Sequence, residues 1–414
     1  MTKETSGVQL QIPQFANPFR PGAGHMPPYL AGREPEMQEF KELLQQDLIL
    51  KNLILTGLRG VGKTVLLETL KPIAVKEGWM WVGTDLSEAV SVSDEALATR
   101  LLTDLAVVTS GITITADDPS KSGFLPGKTT AVWSYGMLRR MYEGAPGLVS
   151  DKLKLVLENV RAAVVGIGKR GMIFAYDEAQ NISDNAEKDR FPLSLLLDVF
   201  QSIQKKGVPF MLVLTGLPTL LPKLVAARTY SERLFHTIFL KRLNDIAARE
   251  AILRPIQDSN CPIRFTPESI QTIFHSSGGY PYFIQFMCKE TYDRFIQQIA
   301  AQEPPQVPVV EIIRKLDADF FAGRWGNVTD RQRDLLVVVA GMPNNDSEFT
   351  VQDIVRASQE ELTKPFSSSR VSAILGSLMD GGLVYRNRHG KYRFAVPMFG
   401  QFIRRQILEP GGMY

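Results

Sequence analysis

Residues 57–64, Gly57-Leu58-Arg59-Gly60-Val61-Gly62-Lys63-Thr64, fit the pattern G-x-x-x-x-G-K-S/T. Residues 51–56 (KNLILT) before them read as a short buried strand, and residues 65–75 (VLLETLKPIAV) after them have helical apolar spacing. Glycines let such a loop curl so that its N–H groups point at phosphate oxygens, and the following helix presents its positive end to the same anion. The stretch therefore predicts a phosphate-binding loop.

The side chains of this loop indicate which ligand it binds. Lys63 can reach the β- and γ-phosphates of a nucleoside triphosphate, and the Thr64 hydroxyl can ligate Mg²⁺. An ordinary glycine-rich turn is the alternative, but the strand before the loop and the helix after it argue against that reading. We therefore expect ATP and Mg²⁺ as cofactors. The loop residues predicted to bind nucleotide are Gly57, Arg59, Gly60, Val61, Gly62, Lys63, Thr64 and Val65.

The composition of the 414-residue chain is that of a globular protein with two or three domains, since 44% of its residues are hydrophobic and 22% charged. A net charge of +3 is too small to imply nucleic-acid binding by itself. The two cysteines, Cys261 and Cys288, form no metal-like pattern, and the four histidines are scattered. No apolar run approaches membrane-spanning length, and the N-terminus lacks a signal-peptide layout. These features predict a cytoplasmic protein with no membrane segment.

Strands and helices alternate along residues 28–242. Such alternation is typical of an α/β fold, here a P-loop parallel sheet sandwiched by helices. Residues 110–130 are turn-rich and polar, so we read them as an insertion with little contribution to the core. The predicted strands are 51–56, 79–84, 172–176, 209–214 and 235–240, and the predicted helices are 36–46, 65–75, 93–108, 150–166 and 190–205.

Beyond residue 242 the pattern becomes wholly helical, and then ends in two short β runs at 383–387 and 391–395. Three helices followed by a β-hairpin are typical of a winged helix-turn-helix. The predicted helices of this part are 243–256, 266–276, 281–299, 309–322, 329–340, 350–357 and 367–380. The predicted domains are an extended arm (1–27), a P-loop ATPase α/β domain (28–242), an all-α lid (243–300), a proline-rich linker (301–308) and a winged-helix domain (309–414).

Two consecutive carboxylates, Asp177 and Glu178, follow the apolar run 172–176 (MIFAY). The end of a parallel strand lies at the carboxyl edge of the sheet, where ligands bind in such folds. A phosphate-transferring site needs one acid to hold Mg²⁺ and another to polarise the attacking water. We assign Asp177 to the metal, through water, and Glu178 to the general base. A strand that simply ends in solvated acids is the alternative.

Three further residues are candidates for a role in hydrolysis. Thr215 follows the strand at 209–214 and could orient the attacking water or sense the γ-phosphate, or it could merely cap the next turn. Arg233 is our first choice and Arg228 our second for an arginine that stabilises phosphoryl-transfer charge, in cis or on a neighbouring subunit. A solvated surface arginine remains the alternative for both.

With these motifs in place, the chain resembles the AAA+/STAND-type P-loop ATPases, in the group that includes archaeal-type ATPases and the origin-recognition and helicase-loader proteins. The resemblance covers roughly residues 27–300 and, with the winged helix, extends to about 400. Residues 28–34 (PYLAGRE) resemble the family's F-x-GR-x-x-E box, which abuts the adenine, and 277–282 (SGGYPY) resemble the GxP signature of the lid. The GLRGVGKT and DEAQ stretches resemble Walker A and Walker B. The resemblance thus adds four nucleotide-contacting residues: Tyr29, Gly32, Arg33 and Pro281.

The chain departs from the family pattern at two places. Many members carry a sensor arginine in the lid, whereas this chain has Pro281 with no arginine nearby. The first sensor residue is often Asn, and here it is Thr215. Both differences favour a slow switch, which changes conformation with the bound nucleotide, over rapid ATP turnover. The resemblance also implies a homo-oligomer.

Basic residues concentrate in 367–405, where seven stand against one acid, Asp380. The candidate recognition helix begins with small hydroxyl residues at 367–372 (SSSRVS), which can approach phosphates and base edges. The wing tip at 386–391 carries no acid, as expected of a hairpin that contacts a DNA backbone. The seven basic residues are Arg370, Arg386, Arg388, Lys391, Arg393, Arg404 and Arg405, and the candidate DNA-binding residues among them are Arg370, Arg386, Arg388 and Lys391.

Two functions fit this organisation. The first is an ATP-binding and ATP-hydrolysing switch whose nucleotide controls self-assembly and the binding of duplex DNA by the winged helix. The second is an ATP-dependent signalling or defence assembly module whose winged helix binds a protein partner and not DNA. A solvated hairpin tip with no ligand is a third reading of the wing. The acids that keep the protein-binding alternative open are Asp346, Glu348, Asp353, Glu360 and Glu361.

Overall fold

The computed structural model describes residues 16–22, 24–117, 128–259, 263–304, 306–343 and 348–408. Residues 1–15 of the predicted arm, Cys261 and Asp346 lie outside them. The chain folds into two compact units. The sheet unit is formed by Arg33–Lys241 and Met342–Pro397, and the helical unit by Met1–Gly32, Arg242–Gly341 and Met398–Tyr414. The five-part domain division stays a prediction.

A parallel sheet forms the core of the sheet unit, and it contains all five predicted strands. These are β1 (Asn52–Gly57), β2 (Trp79–Asp85), β5 (Gly171–Asp177), β6 (Phe210–Gly216) and β7 (Phe235–Leu240), in the order β2-β5-β6-β1-β7. Every residue of β1, β5 and β6 is buried, because helices cover both faces and such strands read as continuous apolar runs. Strand β6 lies between β1, which leads into the phosphate-binding loop, and β5, which ends in Asp177. Thr215, near the end of β6, therefore lies between these two strands.

Helices surround this sheet close to where the sequence places them. The predicted helix at 190–205 begins at Pro192, because proline suits the first position of a helix. The short amphipathic helix at Tyr135–Gly144 was not anticipated; it buries Leu138 and Tyr142. The helices are α1 (Glu34–Leu44), α2 (Lys63–Lys76), α3 (Asp94–Thr109), α4 (Tyr135–Gly144), α5 (Val149–Gly166), α6 (Pro192–Lys205), α7 (Leu220–Ala227) and α8 (Ser231–Leu234).

The segment 110–130, predicted as a turn-rich insertion with little contribution to the core, contains two strands in the structure. Strands β3 (Thr113–Asp117) and β4 (Lys128–Val132) pair as an antiparallel hairpin; residues 118–127 lie outside the described part. At its base, Ile112 and Trp133 are buried in the core, and the Trp133 amide donates to the Ile112 carbonyl at 3.2 Å. The sequence concealed the strands of this hairpin because the segment is rich in polar and turn-favouring residues.

The C-terminal part of the sheet unit contains α15 (Val351–Glu361), α16 (Ser368–Asp380), and an antiparallel hairpin of β8 (Val384–Arg388) and β9 (Lys391–Phe394). Thr350 caps α15 in a reciprocal pair of hydrogen bonds with Asp353. The hairpin and the helices predicted from residues 350 to 395 are confirmed in order and type.

The helical unit contains α9 to α14 and α17. Cys288, on the helix Pro281–Ala300, is fully buried, and burial raises the pKa of its thiol well above the ordinary value. The helix predicted at 309–322 is interrupted by a π-helical turn at Asp317–Phe321. The elements are α9 (Asp245–Asp258), α10 (Pro267–Ser277), α11 (Pro281–Ala300), α12 (Val309–Leu316), α13 (Ala322–Gly326), α14 (Asp330–Gly341) and α17 (Phe399–Leu408). This unit therefore includes four helices that fall inside the predicted winged-helix domain (309–414), namely α12, α13, α14 and α17.

Candidate nucleotide site

The loop between β1 and α2 has the backbone that a phosphate-binding loop requires. Gly60 and Gly62 adopt positive φ angles of 75° and 88°, a region that side chains other than glycine rarely enter. Gly62 precedes the first residue of α2, and a Cβ built on it would meet nothing within 4 Å. At Gly57, by contrast, a Cβ would lie 2.6 Å from the Leu240 carbonyl oxygen. Gly62 therefore faces open space in front of α2. At Gly57, the absence of a side chain lets β7 lie close to β1.

Lys63 is the first residue of α2, and its Nζ atom donates to the Leu58 carbonyl within the same loop at 3.1 Å. Burial lowers the pKa of Lys63 to about 8, and the nearby carboxylates of Glu178 and Asp177 oppose this shift. Because the Lys63 ammonium group has little contact with solvent, an anion bound in the loop would stabilise its charged form. The interaction of Lys63 with phosphate stays a prediction.

The side chains of Thr64, on α2, and Asp177, at the end of β5, form a hydrogen bond. The Thr64 hydroxyl donates to Asp177 Oδ2, and the Glu178 amide donates to Asp177 Oδ1 at 2.7 Å. Asp177 is only 4% exposed; burial raises the pKa of its carboxyl, and both hydrogen bonds oppose that shift. These are the oxygen donors that Mg²⁺ prefers. They fit a metal that is shared with a phosphate ligand. Within the described ranges, no cluster of three acidic, histidine or cysteine side chains could hold a metal.

Glu178 follows Asp177 with a left-handed backbone, at φ 51°. The Gln180 side-chain amide donates to Glu178 Oε2, an interaction that the sequence did not predict. Its only signal was the position of Gln180 in the DEAQ stretch directly after the predicted base. The two carboxylates thus differ in surroundings: Asp177 is buried against Thr64, and Glu178 is oriented by an amide.

Thr215 lies on β6, opposite Leu55 of β1, and is completely buried. Its hydroxyl has no hydrogen-bond partner among the residues that the structure describes. A buried hydroxyl without a partner is costly, so this group has capacity for a ligand or water that the protein alone does not satisfy. Its role as a sensor stays a prediction.

Arg33 holds the phosphate-binding loop in place. Its Nη2 atom donates to the Val61 and Lys241 carbonyl oxygens, each at 2.9 Å, and its Nη1 atom pairs with Glu36 at 3.2 Å. The side chain is 4% exposed. The resemblance places the segment that contains Arg33 beside the adenine, and this interaction stays a prediction. In the structure the guanidinium is engaged by main-chain carbonyl oxygens, one of them in the phosphate-binding loop.

Three predicted nucleotide contacts belong to the helical unit. The Arg254 guanidinium lies over the Tyr29 ring at 5.7 Å. Gly32 has a positive φ of 61°, and a Cβ atom added to it would lie 2.6 Å from the Ala247 Cβ. Pro281 is the first residue of α11. The interaction of these three residues with nucleotide stays a prediction.

The two candidate arginines have different surroundings. Arg228 is engaged by Asp198, to which its Nε donates at 2.8 Å, and by the Ser194 hydroxyl at 2.9 Å. Tyr230 donates to the same carboxylate at 2.6 Å. Arg233 is exposed, and its guanidinium makes no hydrogen bond or ion pair with any residue in the described ranges. Arg228 would have to leave a bidentate partner to reach a phosphate, so Arg233 is the better candidate.

The hairpin predicted as a wing has less unpaired positive charge than its sequence suggests, because Arg388 is paired with an acid. Arg388 donates to Glu348 Oε2 through Nε at 2.9 Å and Nη2 at 2.7 Å, and these hydrogen bonds hold the pKa of Glu348 below its ordinary value. Arg386 stacks over the Tyr392 ring at 5.7 Å. Arg370 is exposed at the start of α16, and Lys391 is half-buried. Glu348, forty residues before its partner, thus neutralises one of the four candidate DNA-binding residues.

Two of the seven basic residues counted toward a DNA surface are engaged inside the helical unit. Arg405 forms an ion pair with the buried Asp317, and the Arg404 Nε donates to the Ala340 carbonyl at 2.5 Å. These interactions tie α17 to the elements before it. The basic surface that the sequence suggested is smaller by these two side chains.

Comparison with solved structures confirms the fold. The Walker-type ATPase of Pyrococcus abyssi is 17% identical to this chain, with 91% of this chain and 96% of that one covered and a TM-score of 0.56. The ORC2 protein of Aeropyrum pernix, solved as ADPNP–ADP complexes, is 13% identical, with 93% and 97% covered and a TM-score of 0.53. Its ADP form is 16% identical, with the same coverage and a TM-score of 0.51. At these identities the likeness is one of fold: the chain has the fold of the AAA+ Walker-type ATPases that its motifs resemble.

Sequence comparisons add little about the activity. A family model described as a domain of unknown function (DUF8462) matches residues 318–403. None of the curated proteins compared with the chain matches it. Within the described ranges, no helix combines the length and apolar character needed to cross a membrane.

Proposed function

We propose that this chain is an ATP-binding and ATP-hydrolysing switch of the AAA+/STAND type, in which the bound nucleotide controls self-assembly and the binding of duplex DNA. The observation that carries the proposal is the hydrogen bond from Thr64 to the buried Asp177, with Lys63 at the start of the same helix. It unites the two motifs, separated by more than a hundred residues, into one site with a cation, a hydroxyl and a carboxylate.

Each residue of this site has a distinct part in the proposed reaction. The loop amides and Lys63 bind the phosphates, and Thr64 and Asp177 would hold the Mg²⁺, which supplies charge neutralisation to a phosphoryl group. Glu178 takes a proton from the attacking water. Arg33 keeps the loop in its binding conformation by holding the Val61 carbonyl. All of this chemistry lies at the carboxyl edge of the parallel sheet.

Calorimetric titration of the full chain with ATP and Mg²⁺, followed by a phosphate-release assay, tests the proposal. We expect saturable binding of one nucleotide per chain and slow release of phosphate. Particle size measured with and without ATP tests the assembly step. A chain that binds no nucleotide under these conditions would contradict the proposal as a whole.

Arg233 is expected to act across a subunit boundary, because its guanidinium is exposed and unengaged in the part of the chain that the structure describes. Arg233→Ala should bind ATP normally and lose hydrolysis and ATP-dependent assembly. Removing such an arginine finger typically lowers the rate by about 10³–10⁵-fold. Mixing Arg233→Ala with Lys63→Ala protein should restore part of the activity, since each contributes one intact half of a shared site.

Arg161→Ala is the matched control, because Arg161 is an exposed arginine on α5 of the same unit. It should assemble and hydrolyse ATP like the parent. Hydrolysis at the parental rate by a monomer of Arg233→Ala would show that no subunit supplies this arginine.

The wing is expected to bind DNA phosphates through Arg386 and Lys391 more strongly than through Arg388. Reversing all three to Glu should weaken duplex binding similarly on every sequence and flatten the salt dependence by about one unit for each phosphate interaction removed. Because Glu348 already holds Arg388, Arg388→Ala alone should cost less affinity than Arg386→Ala. Gel shifts at several salt concentrations measure both effects.

A reversal of three exposed basic residues away from the hairpin (Arg161, Lys188 and Lys205) controls for total charge and should bind DNA more tightly than the wing reversal. Equal affinities for the parent and the wing reversal would instead favour the protein-binding alternative. The Arg388–Glu348 ion pair is the observation that supports that alternative, since it removes charge from the tip.

A further inference from the structure

We propose that Gln180 is a positioning residue that aims the Glu178 carboxylate at the phosphate-binding loop and couples it to the end of strand β6. This inference rests on the proposed function. It adds a role for Gln180, the last residue of the DEAQ stretch, to which the sequence assigned none. Gln180 would act on hydrolysis through Glu178, and not by touching the nucleotide.

Both ends of the Gln180 side-chain amide are engaged. Its Nε2 donates to Glu178 Oε2, and its Oε1 accepts a hydrogen bond from the Leu217 amide at 3.0 Å. Its main-chain carbonyl accepts from Lys223 Nζ at 2.6 Å. An amide that donates at one end and accepts at the other has one orientation that satisfies both partners. The Glu178 carboxylate is therefore linked to the β6 end by a single side chain of defined direction.

The position of Glu178 follows from its neighbours in the structure. It directly follows Asp177, whose Oδ2 accepts from the Thr64 hydroxyl on the helix that begins at the phosphate-binding loop, and its own amide donates to Asp177 Oδ1. The Gln180 bond therefore fixes the Glu178 carboxylate at the strand end that meets this loop helix. Only one carboxylate oxygen receives this bond, which leaves Oε1 available to accept a proton from water.

The end of β6 lies directly against the Gln180 side chain. A Cβ atom added to Gly216 would lie 2.6 Å from Gln180 Oε1, so the side-chain amide would have to shift to make room for it. Gly216 directly follows the buried Thr215, whose hydroxyl has no partner in the described part of the chain. A small displacement of this strand end, such as one caused by a ligand at Thr215, would move the amide and with it the base.

The space around Gln180 allows the side chain to be replaced without disturbing the core. Gln180 lines a cavity of about 610 Å³ that is also lined by Arg59, Lys223 and the end of α16 at Asp380. A truncated side chain there faces open volume and not packed hydrophobic residues. Lys223 anchors the Gln180 main chain in every side-chain variant, since it bonds the carbonyl.

The test compares steady-state kinetics and ATP affinity of full-length variants whose thermal unfolding matches the parent. Gln180→Ala is expected to lower kcat by roughly 10–100-fold with KM and ATP affinity unchanged, because displacement of a reacting group by about 1 Å can cost ~10²-fold. Gln180→Glu keeps the shape but replaces the donor with a second carboxylate, so it should lose a similar factor. Ser183→Ala, a change in the same cavity, is the matched control and should behave like the parent.

Gly216→Ala provides an independent readout, because its methyl group displaces the amide while Gln180 stays in place. Alone it should lower kcat, and combined with Gln180→Ala it should add little, since both changes break the same link. A purely structural role would give additive losses in the double variant.

Parental kcat in both Gln180→Ala and Gln180→Glu would overturn the inference, as would a raised KM with unchanged kcat. If Glu178→Gln stops hydrolysis while the Gln180 variants stay active, this inference alone fails. If Glu178→Gln is as active as the parent, the proposed function itself fails at the assignment of the base.

Discussion

Replacing Glu178 with glutamine is expected to lower the rate of ATP hydrolysis by about 10²–10⁴-fold while ATP binding remains intact. Glu178 directly follows Asp177, and its carboxylate accepts a hydrogen bond from the Gln180 side-chain amide. Glutamine has the same shape and still accepts a hydrogen bond, but it cannot take a proton from water. Single-turnover phosphate release, measured with ATP prebound, isolates this step from binding.

Glu187→Gln is the matched control for this prediction. Glu187 is an exposed glutamate in the short segment after β5, so its charge is removed without touching the site. We expect it to hydrolyse ATP like the parent. A Glu178→Gln protein with the parental rate would show that another group activates the water.

Replacing Lys63 with alanine is expected to abolish measurable ATP binding. The ammonium can donate three hydrogen bonds, and each bond to a charged group contributes about 1.5–3 kcal/mol. Loss of two of them corresponds to roughly 10²–10⁴-fold in affinity. The change also leaves the positive φ angles of Gly60 and Gly62 unaltered, so the loop backbone should keep its conformation. Calorimetric titration with ATP and Mg²⁺ measures the effect.

Lys76→Ala is the matched control, because Lys76 is an exposed lysine at the last turn of the same helix. It should bind ATP with the parental affinity. Tight ATP binding by a folded Lys63→Ala protein would place the nucleotide somewhere other than this loop.

The sequence by itself determines the features of this protein that depend on residues close together in the chain. The loop at 57–64 carries its glycines, lysine and threonine in eight consecutive positions, and the helix that follows is built from adjacent residues. Buried parallel strands such as β1, β5 and β6 appear as unbroken apolar runs, because both their faces are covered. Position at a strand end then predicted that Asp177 and Thr64 belong to one site.

The sequence alone did not determine how polar side chains pair over longer distances. Arg233 and Arg228 are the first and second candidates for a catalytic arginine from the sequence, but only the folded chain shows that Asp198 engages Arg228. The hairpin tip reads as wholly basic until Glu348 is placed beside Arg388.

The same limit applies to Gln180, which stands beside the predicted base in sequence but acquires its second partner, Leu217, from the end of another strand. Local stretches report the backbone conformation and burial that each residue prefers. The partner of a charged or amide side chain depends on which distant element the fold places within about 3 Å, and that is set by the packing of the whole sheet.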